Sequence, residues 1–200
     1  MRALSISLIL VMAAAVMSAD KKNDGKFSPG PASSYPNKQT NDGVTLAVAA
    51  YDTEELAHTA FGKLNPNQYG VLPVLVIIQN DTDQTMKLDK IISEYTGPNG
   101  RHVESTPAAD VQTLEGPERP PGIRPPTLPI PRRQKKSPLN TWEIDGRAFA
   151  AKLLPPHESA SGFFYFQATY QPGSTFYLTG VKQASTGQDV MFFEISLTKK

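Results

Sequence analysis

Cysteine is absent from the 200-residue chain. That removes disulfides, thiol nucleophiles, thiolate metal sites and a lipid-bearing cysteine, so any fold must be held by its hydrophobic core. An excess of one charge sign is absent too: 20 Lys+Arg stand against 19 Asp+Glu. Loss of residues 1–19 takes away Arg2 and no acidic residue, which leaves the counts equal. Overall charge therefore gives no argument for nucleic acid or an anionic membrane as partner. The apolar stretch at 3–17, broken only by Ser5 and Ser7, is shorter than the ~20 residues a membrane-spanning helix needs.

What that stretch does resemble is a secretory signal. Arg2 gives a positive start, the apolar run follows, and Ser18 and Ala19 form a small-residue exit before Asp20-Lys21-Lys22. The chain is expected to be exported to the periplasm, the cell surface or the medium, with residues 1–19 removed after Ser18 or Ala19. No integral span is expected after cleavage. Residues 20–42 are polar, with little besides Phe27, Ala32 and Tyr35 to bury, and read as a flexible arm.

The centre of the sequence is 69–88. Val74, Leu75, Val76, Ile77 and Ile78 are consecutive and mostly β-branched, which suits a pleated surface. Asn80, Asp81, Thr82 and Asp83 supply turn chemistry, and 85–88 resumes as an expected returning strand. Further strands are expected at 44–51, 91–96 paired with 101–104, 141–144, 163–170, 175–181 and 190–197, while 147–154 fits strand alternation through Phe149, Ala151 and Leu153 or helical spacing through Phe149 and Leu153. In 190–197 Met191, Phe193, Ile195 and Leu197 share one face. A short helix fits 54–61, with Asp52 as N-cap and Gly62 as stop, and another fits 107–114. Pro73 is expected at a strand start or an edge.

These elements add up to a mainly β fold: an antiparallel β-sandwich of about 7–8 strands over 43–200, with one or two short helices. The Val/Ile-rich segment and the Phe-rich segments are expected to face each other as two layers. The body is interrupted at 116–140 by a basic, Pro-rich excursion. It holds eight of the 18 prolines, and repeated proline forbids helix and ladder pairing.

The pattern of strand, Asn-Asp-Thr-Asp turn and strand at 74–88, Pro-x-x-Ser-x-x-Gly-Phe at 156–163, and a Thr-Gly hairpin into a Phe-rich strand at 186–197 resembles exported bacterial immunoglobulin-like modules. The resemblance implies an immunoglobulin-like sandwich. The Cys-Trp-Cys signature of antibody domains is missing, and Trp142 is the single tryptophan.

The residues that could carry chemistry are few. His58, His102 and His157 are the histidines; Ser159 and Ser161 lie near the last, without a Gly-x-Ser-x-Gly elbow. Asn80, Asp81, Thr82 and Asp83 begin like a calcium loop, but Thr85 stands where an EF-hand has Gly and Ile91 where it has Glu. Turn formation accounts for them, so neither metal nor cofactor is expected. Asn80-Asp81-Thr82 is also a formal glycosylation acceptor. Phe163, Phe164, Tyr165, Phe166, Tyr170, Phe176 and Tyr177 supply a core or, alternatively, a carbohydrate- or ligand-binding platform.

The binding candidate is the excursion itself. Pro125, Pro126, Pro129 and Pro131 make a preformed extended ligand for an aromatic-lined groove, and Arg124, Arg132, Arg133, Lys135 and Lys136 steer it to an acidic partner. The expectation is a non-enzymatic interaction or structural module that meets another envelope protein through this loop or a sheet edge. A hydrolase is the weaker alternative.

Overall fold

The computed structural model describes residues 27–114, 137–190 and 192–198. The expected signal peptide and most of the excursion, with every candidate binding residue from Arg124 to Lys136, lie outside the described residues.

The central strand β3 (Leu72–Asn80) forms where the β-branched run predicts it, after β1 (Lys38–Asn41) and β2 (Val44–Ala50). Helix α1 (Glu54–Phe61) and a 3-10 turn at Pro66–Tyr69 separate β2 from β3. Then come β4 (Met86–Lys87), β5 (Ile92–Thr96), β6 (His102–Glu104) and helix α2 (Ala108–Val111). After the excursion follow helix α3 (Trp142–Gly146), β7 (Leu153–Leu154), β8 (Ser159–Phe166), β9 (Thr175–Thr179), β10 (Lys182–Gln183) and β11 (Phe193–Ser196). The protein is mainly β, with three antiparallel sheets ordered β1-β2-β3-β8, β11-β9-β5-β6 and β10-β4-β7.

The first two sheets face each other across a core built from Val74, Val76 and Ile78 on one side and Phe176, Leu178, Phe193 and Ile195 on the other. β3 has a second buried face. Leu75 and Ile77 point away from that core into another, made with Phe61, Val111, Leu139, Ile144, Phe163 and Tyr165. The first sheet is thus covered on both sides, which is why β3 reads as a continuous apolar run rather than an alternation. Each buried Leu, Ile or Val contributes about 1.5–3 kcal/mol.

Several expectations are corrected. The Phe-rich strand β8 does not face β3 but pairs beside it, Val74 opposite Phe164; β9 and β11 supply the facing layer. The segment after the Asn80 turn does not return along β3. Both neighbours of β3 are taken by β2 and β8, and β4 pairs instead with β7 and β10.

Residues 38–41, placed by composition in the flexible arm, form β1. Asp42 (φ 48) and Gly43 (φ 77) make a tight two-residue turn that sets Asn41 opposite Val44. Farther back in the same stretch, Phe27 packs within 5.4 Å of the Phe163 ring. Residues 141–144, expected as a strand, are mostly in helix α3, whose buried Ile144 anchors it to the second core. Of 147–154 only Leu153–Leu154 is a strand, although Ala148 makes a parallel bridge to Phe163. That approach requires glycine at 162: a Cβ there would lie 2.4 Å from the Phe149 Cα. α1 is capped by Thr53, whose Oγ1 accepts the Leu56 N–H at 3.3 Å, not by Asp52.

The sheet edges are largely occupied. Gln39 Oε1 accepts the Glu194 N–H (2.9 Å) and Asn41 Nδ2 donates to the Phe192 carbonyl (2.8 Å), which ties β1 to β11. On the other side the Thr106 N–H donates to the Tyr165 carbonyl (2.7 Å), so the chain leaving β6 closes against β8.

Candidate functional site

The described residues on either side of the expected excursion meet each other. Ser137 Oγ donates to the Leu114 carbonyl at 2.8 Å and accepts the Leu139 N–H at 3.2 Å. Leu139, Val111 and Ile144 around it are fully buried. Tyr165 Oη donates to the Ile144 carbonyl at 2.7 Å, and burial raises the phenol's pKa against the opposing pull of Arg147. Leu114 and Ser137, which flank 115–136, meet at one clasped point on the side of the first sheet that faces away from the second.

A second feature lies on the outer face of the second sheet. Strand alternation turns Tyr95, Leu178, Phe193 and Ile195 inward and leaves Ile92, Glu94, Thr96, Thr175, Tyr177, Phe192 and Glu194 outward. Register then aligns one row across all four strands: Glu194 opposite Tyr177, Tyr177 opposite Glu94, Glu94 opposite Glu104. Like charges directly opposite each other are unfavourable in a sheet. Beside this row the Tyr177 and Phe192 rings stack at 5.5 Å and 30°, and Ile92 (53 % exposed) and Phe192 (46 %) are bare to solvent. A shallow cleft of about 260 Å³ opens there, lined by Glu94, Thr96, His102, Thr175, Tyr177 and Glu194.

His102 is the only histidine on this face, and its geometry bears on hydrolysis. Nδ1 lies 3.1 Å from Thr96 Oγ1 and 3.3 Å from Glu94 Oε2. Both partners meet the same ring nitrogen, whereas a proton relay needs the hydroxyl on one nitrogen and the carboxylate on the other. His157 Nε2 contacts exposed Asp83 at 3.0 Å, and His58 lies 3.8 Å from Glu54 on α1. Neither Ser159 nor Ser161 is hydrogen-bonded to His157 among the described residues.

The Asn-Asp-Thr-Asp turn is structural. Asn80 is fully buried and its Nδ2 donates to the carbonyls of Gln84 (2.7 Å), Pro155 (2.9 Å) and Leu154 (3.3 Å). Its Oδ1 accepts from Thr82 Oγ1 (2.7 Å) and the Thr82 N–H (3.1 Å). The formal glycosylation acceptor therefore has its amide turned into the protein. No group of three or more His, Asp or Glu suited to a metal occurs among the described residues. Most of the aromatics weighed as a platform are core: Phe163, Tyr165, Phe166 and Phe176 are buried.

No family model matches this chain, and no curated protein does. Among solved structures, the Northeast Structural Genomics Consortium target SoR45 aligns at TM-score 0.35 and 12% identity, covering 80% of this chain and 90% of that one. The Northeast Structural Genomics target BeR40 from Bordetella pertussis aligns at TM-score 0.36 and 14% identity, covering 78% and 95%. At these scores the likeness says nothing about this chain's architecture or role.

The outer face of the second sheet was missed as a site in the sequence, although its signal is present. Ile92-x-Glu94-x-Thr96 and Phe192-x-Glu194-x-Ser196 each place an apolar residue and a glutamate on one strand face. Only the pairing of β5 and β11 on either side of β9 puts the two patterns together.

Proposed function

We propose that this chain is a non-enzymatic, exported interaction module. In this reading an immunoglobulin-like β-sandwich serves as a rigid body that presents the Pro-rich basic excursion to another envelope protein. The observation that supports it is the clasped root, where Leu114 and Ser137 meet over buried Leu139. A long insertion whose ends already meet costs the body little, because loop-closure entropy grows only slowly with length. Long irregular insertions in compact domains are commonly functional. Export to the periplasm, cell surface or medium rests on the signal-like N-terminus. No helix among the described residues is long and apolar enough to cross a membrane.

The test replaces residues 116–136 with a short Gly-Ser turn, which spares Ser137. The melting temperature should stay within about 3 °C of the parent, since loop-closure entropy changes only slowly with loop length. Capture of the envelope partner should be lost, and a peptide spanning 124–136 should compete for it in the parent chain. Undiminished capture by the replaced chain refutes the proposal.

A second reading, a carbohydrate- or ligand-binding sandwich, draws support from the exposed Tyr177–Phe192 stack beside Glu94 and Glu194. Here Phe192→Ser should abolish retention on the recognised ligand. No observation at His58, His102 or His157 favours a hydrolase.

A further inference from the structure

The geometry points to the outer face of the β11-β9-β5-β6 sheet as the docking surface for the basic Pro-rich segment, residues 124–136, of a second copy of this chain. The inference rests on the reading of the excursion as a presented ligand and names its receptor.

The face and the segment are complementary in both respects that matter. Glu194, Glu94 and Glu104 stand in one row across the sheet. Among the described residues the one ion pair on the face is His102 with Glu94, at 3.3 Å. The segment carries Arg124, Arg132, Arg133, Lys135 and Lys136 and no acidic residue. Tyr177 stands between Glu94 and Glu194 in that row, and beside it Ile92 and Phe192 extend an exposed apolar strip. Proline-rich extended chain docks on aromatic-lined grooves because it is already ordered before binding. Pro125, Pro126, Leu128, Pro129, Ile130 and Pro131 supply that chain. The Glu94–Glu104 repulsion, unfavourable in the free sheet, becomes a cation site when the strip is covered.

Chain length assigns the lysine end of the segment to a neighbour. Lys135 and Lys136 are at most two residues from Ser137, about 7 Å of extended chain. The root they hang from packs on the first sheet's far side, and the second sheet lies a further sheet-to-sheet step of about 10 Å beyond. The lysines therefore cannot rest on their own acidic face, whereas a neighbour's can.

The test uses the full chain, a labelled peptide of residues 124–136, and the charge-reversed variant Glu94→Lys/Glu194→Lys. Lysine at 94 faces Glu104, so this variant should fold, which a thermal melt checks. The peptide should bind the parent, weaken as salt rises, and lose about tenfold or more in affinity on the variant. The parent should self-associate in sedimentation velocity, and both the variant and the chain with 116–136 replaced should be monomeric. Equal peptide affinity for parent and variant overturns the inference. So does a monomeric parent whose face binds peptide only after its own 116–136 is replaced, since the segment then occupies its own molecule. If the peptide binds neither chain yet replacement of 116–136 still abolishes capture of the envelope partner, self-recognition falls and the presented-ligand reading stands.

Discussion

Asn80 is the sharpest place to test how this chain is held together. Its side chain makes five polar contacts, three as donor to Gln84, Leu154 and Pro155 carbonyls and two as acceptor from Thr82. The two amide hydrogens share three acceptors, so Asn80→Ala removes about four hydrogen bonds at a fully buried position. At about 1 kcal/mol net for each, the loss is about 3–4 kcal/mol, less what water recovers at the part-buried Gln84 and Pro155 carbonyls. That is a large fraction of the ~5–15 kcal/mol total stability of a domain. Asn80→Asp is isosteric but should cost at least as much at pH 7, because it aims a carboxylate at three carbonyl oxygens in a buried site. The two variants separate by pH. Burial and the facing carbonyls raise the folded pKa of an aspartate here above its unfolded value. The unfolded chain then binds fewer protons in that window, and the deficit of Asn80→Asp grows as pH rises through it. Below the unfolded carboxyl pKa of about 3.9 the protonated group can donate one bond, and part of the deficit should disappear. The deficit of Asn80→Ala should not change with pH. Urea unfolding of the three chains at neutral and acid pH measures this. An Asn80→Asp chain within about 0.5 kcal/mol of the parent at pH 7, or a deficit that grows on acidification, would refute the reasoning.

Three further outcomes are expected. Gly162→Ala puts a Cβ 2.4 Å from the Phe149 Cα and 2.6 Å from its nitrogen, and backbone cannot rotate away as a side chain can. It should cost about 1–3 kcal/mol in denaturant unfolding, while Gly187→Ala, which meets open space but keeps φ +71, should cost less. Tyr165→Phe leaves the buried Ile144 carbonyl without its 2.7 Å donor and should lose about 1–2 kcal/mol, read by the same assay. Burial, with Tyr35 adding, pushes the Tyr51 phenol up to about 12, and burial raises Tyr165 as well. Unfolded tyrosines release their protons near the ordinary phenol value of 10.0 while these two hold theirs. Stability should therefore fall as pH rises above 10 and show no slope from these groups below it. A urea midpoint flat across that alkaline range would count against the burial of both rings.

What the residues alone determined follows from local rules. β-branching in 74–78 specified a strand, period-2 alternation in 193–197 specified one with a dry face, and Gly62 specified the end of α1. The hairpin of β5 and β6 was legible because its turn and both arms are adjacent in the chain. Asp42-Gly43 carried the β1–β2 turn in plain view, but polar composition on its N-terminal side outweighed it.

What only the tertiary structure decided is pairing between distant segments. Whether β8 lies beside β3 or across from it depends on which edges β2 has already filled. Whether 141–146 is helix or strand depends on where Ile144 finds a core. The outer face of the second sheet belongs to the same class: β5, β9 and β11 each carry a weak pattern, and they become one acidic, partly apolar surface only when register sets Glu194, Tyr177, Glu94 and Glu104 in a row. Side-chain period fixes which residues share a strand's face, but the choice of neighbouring strand is made by burial summed over the whole chain.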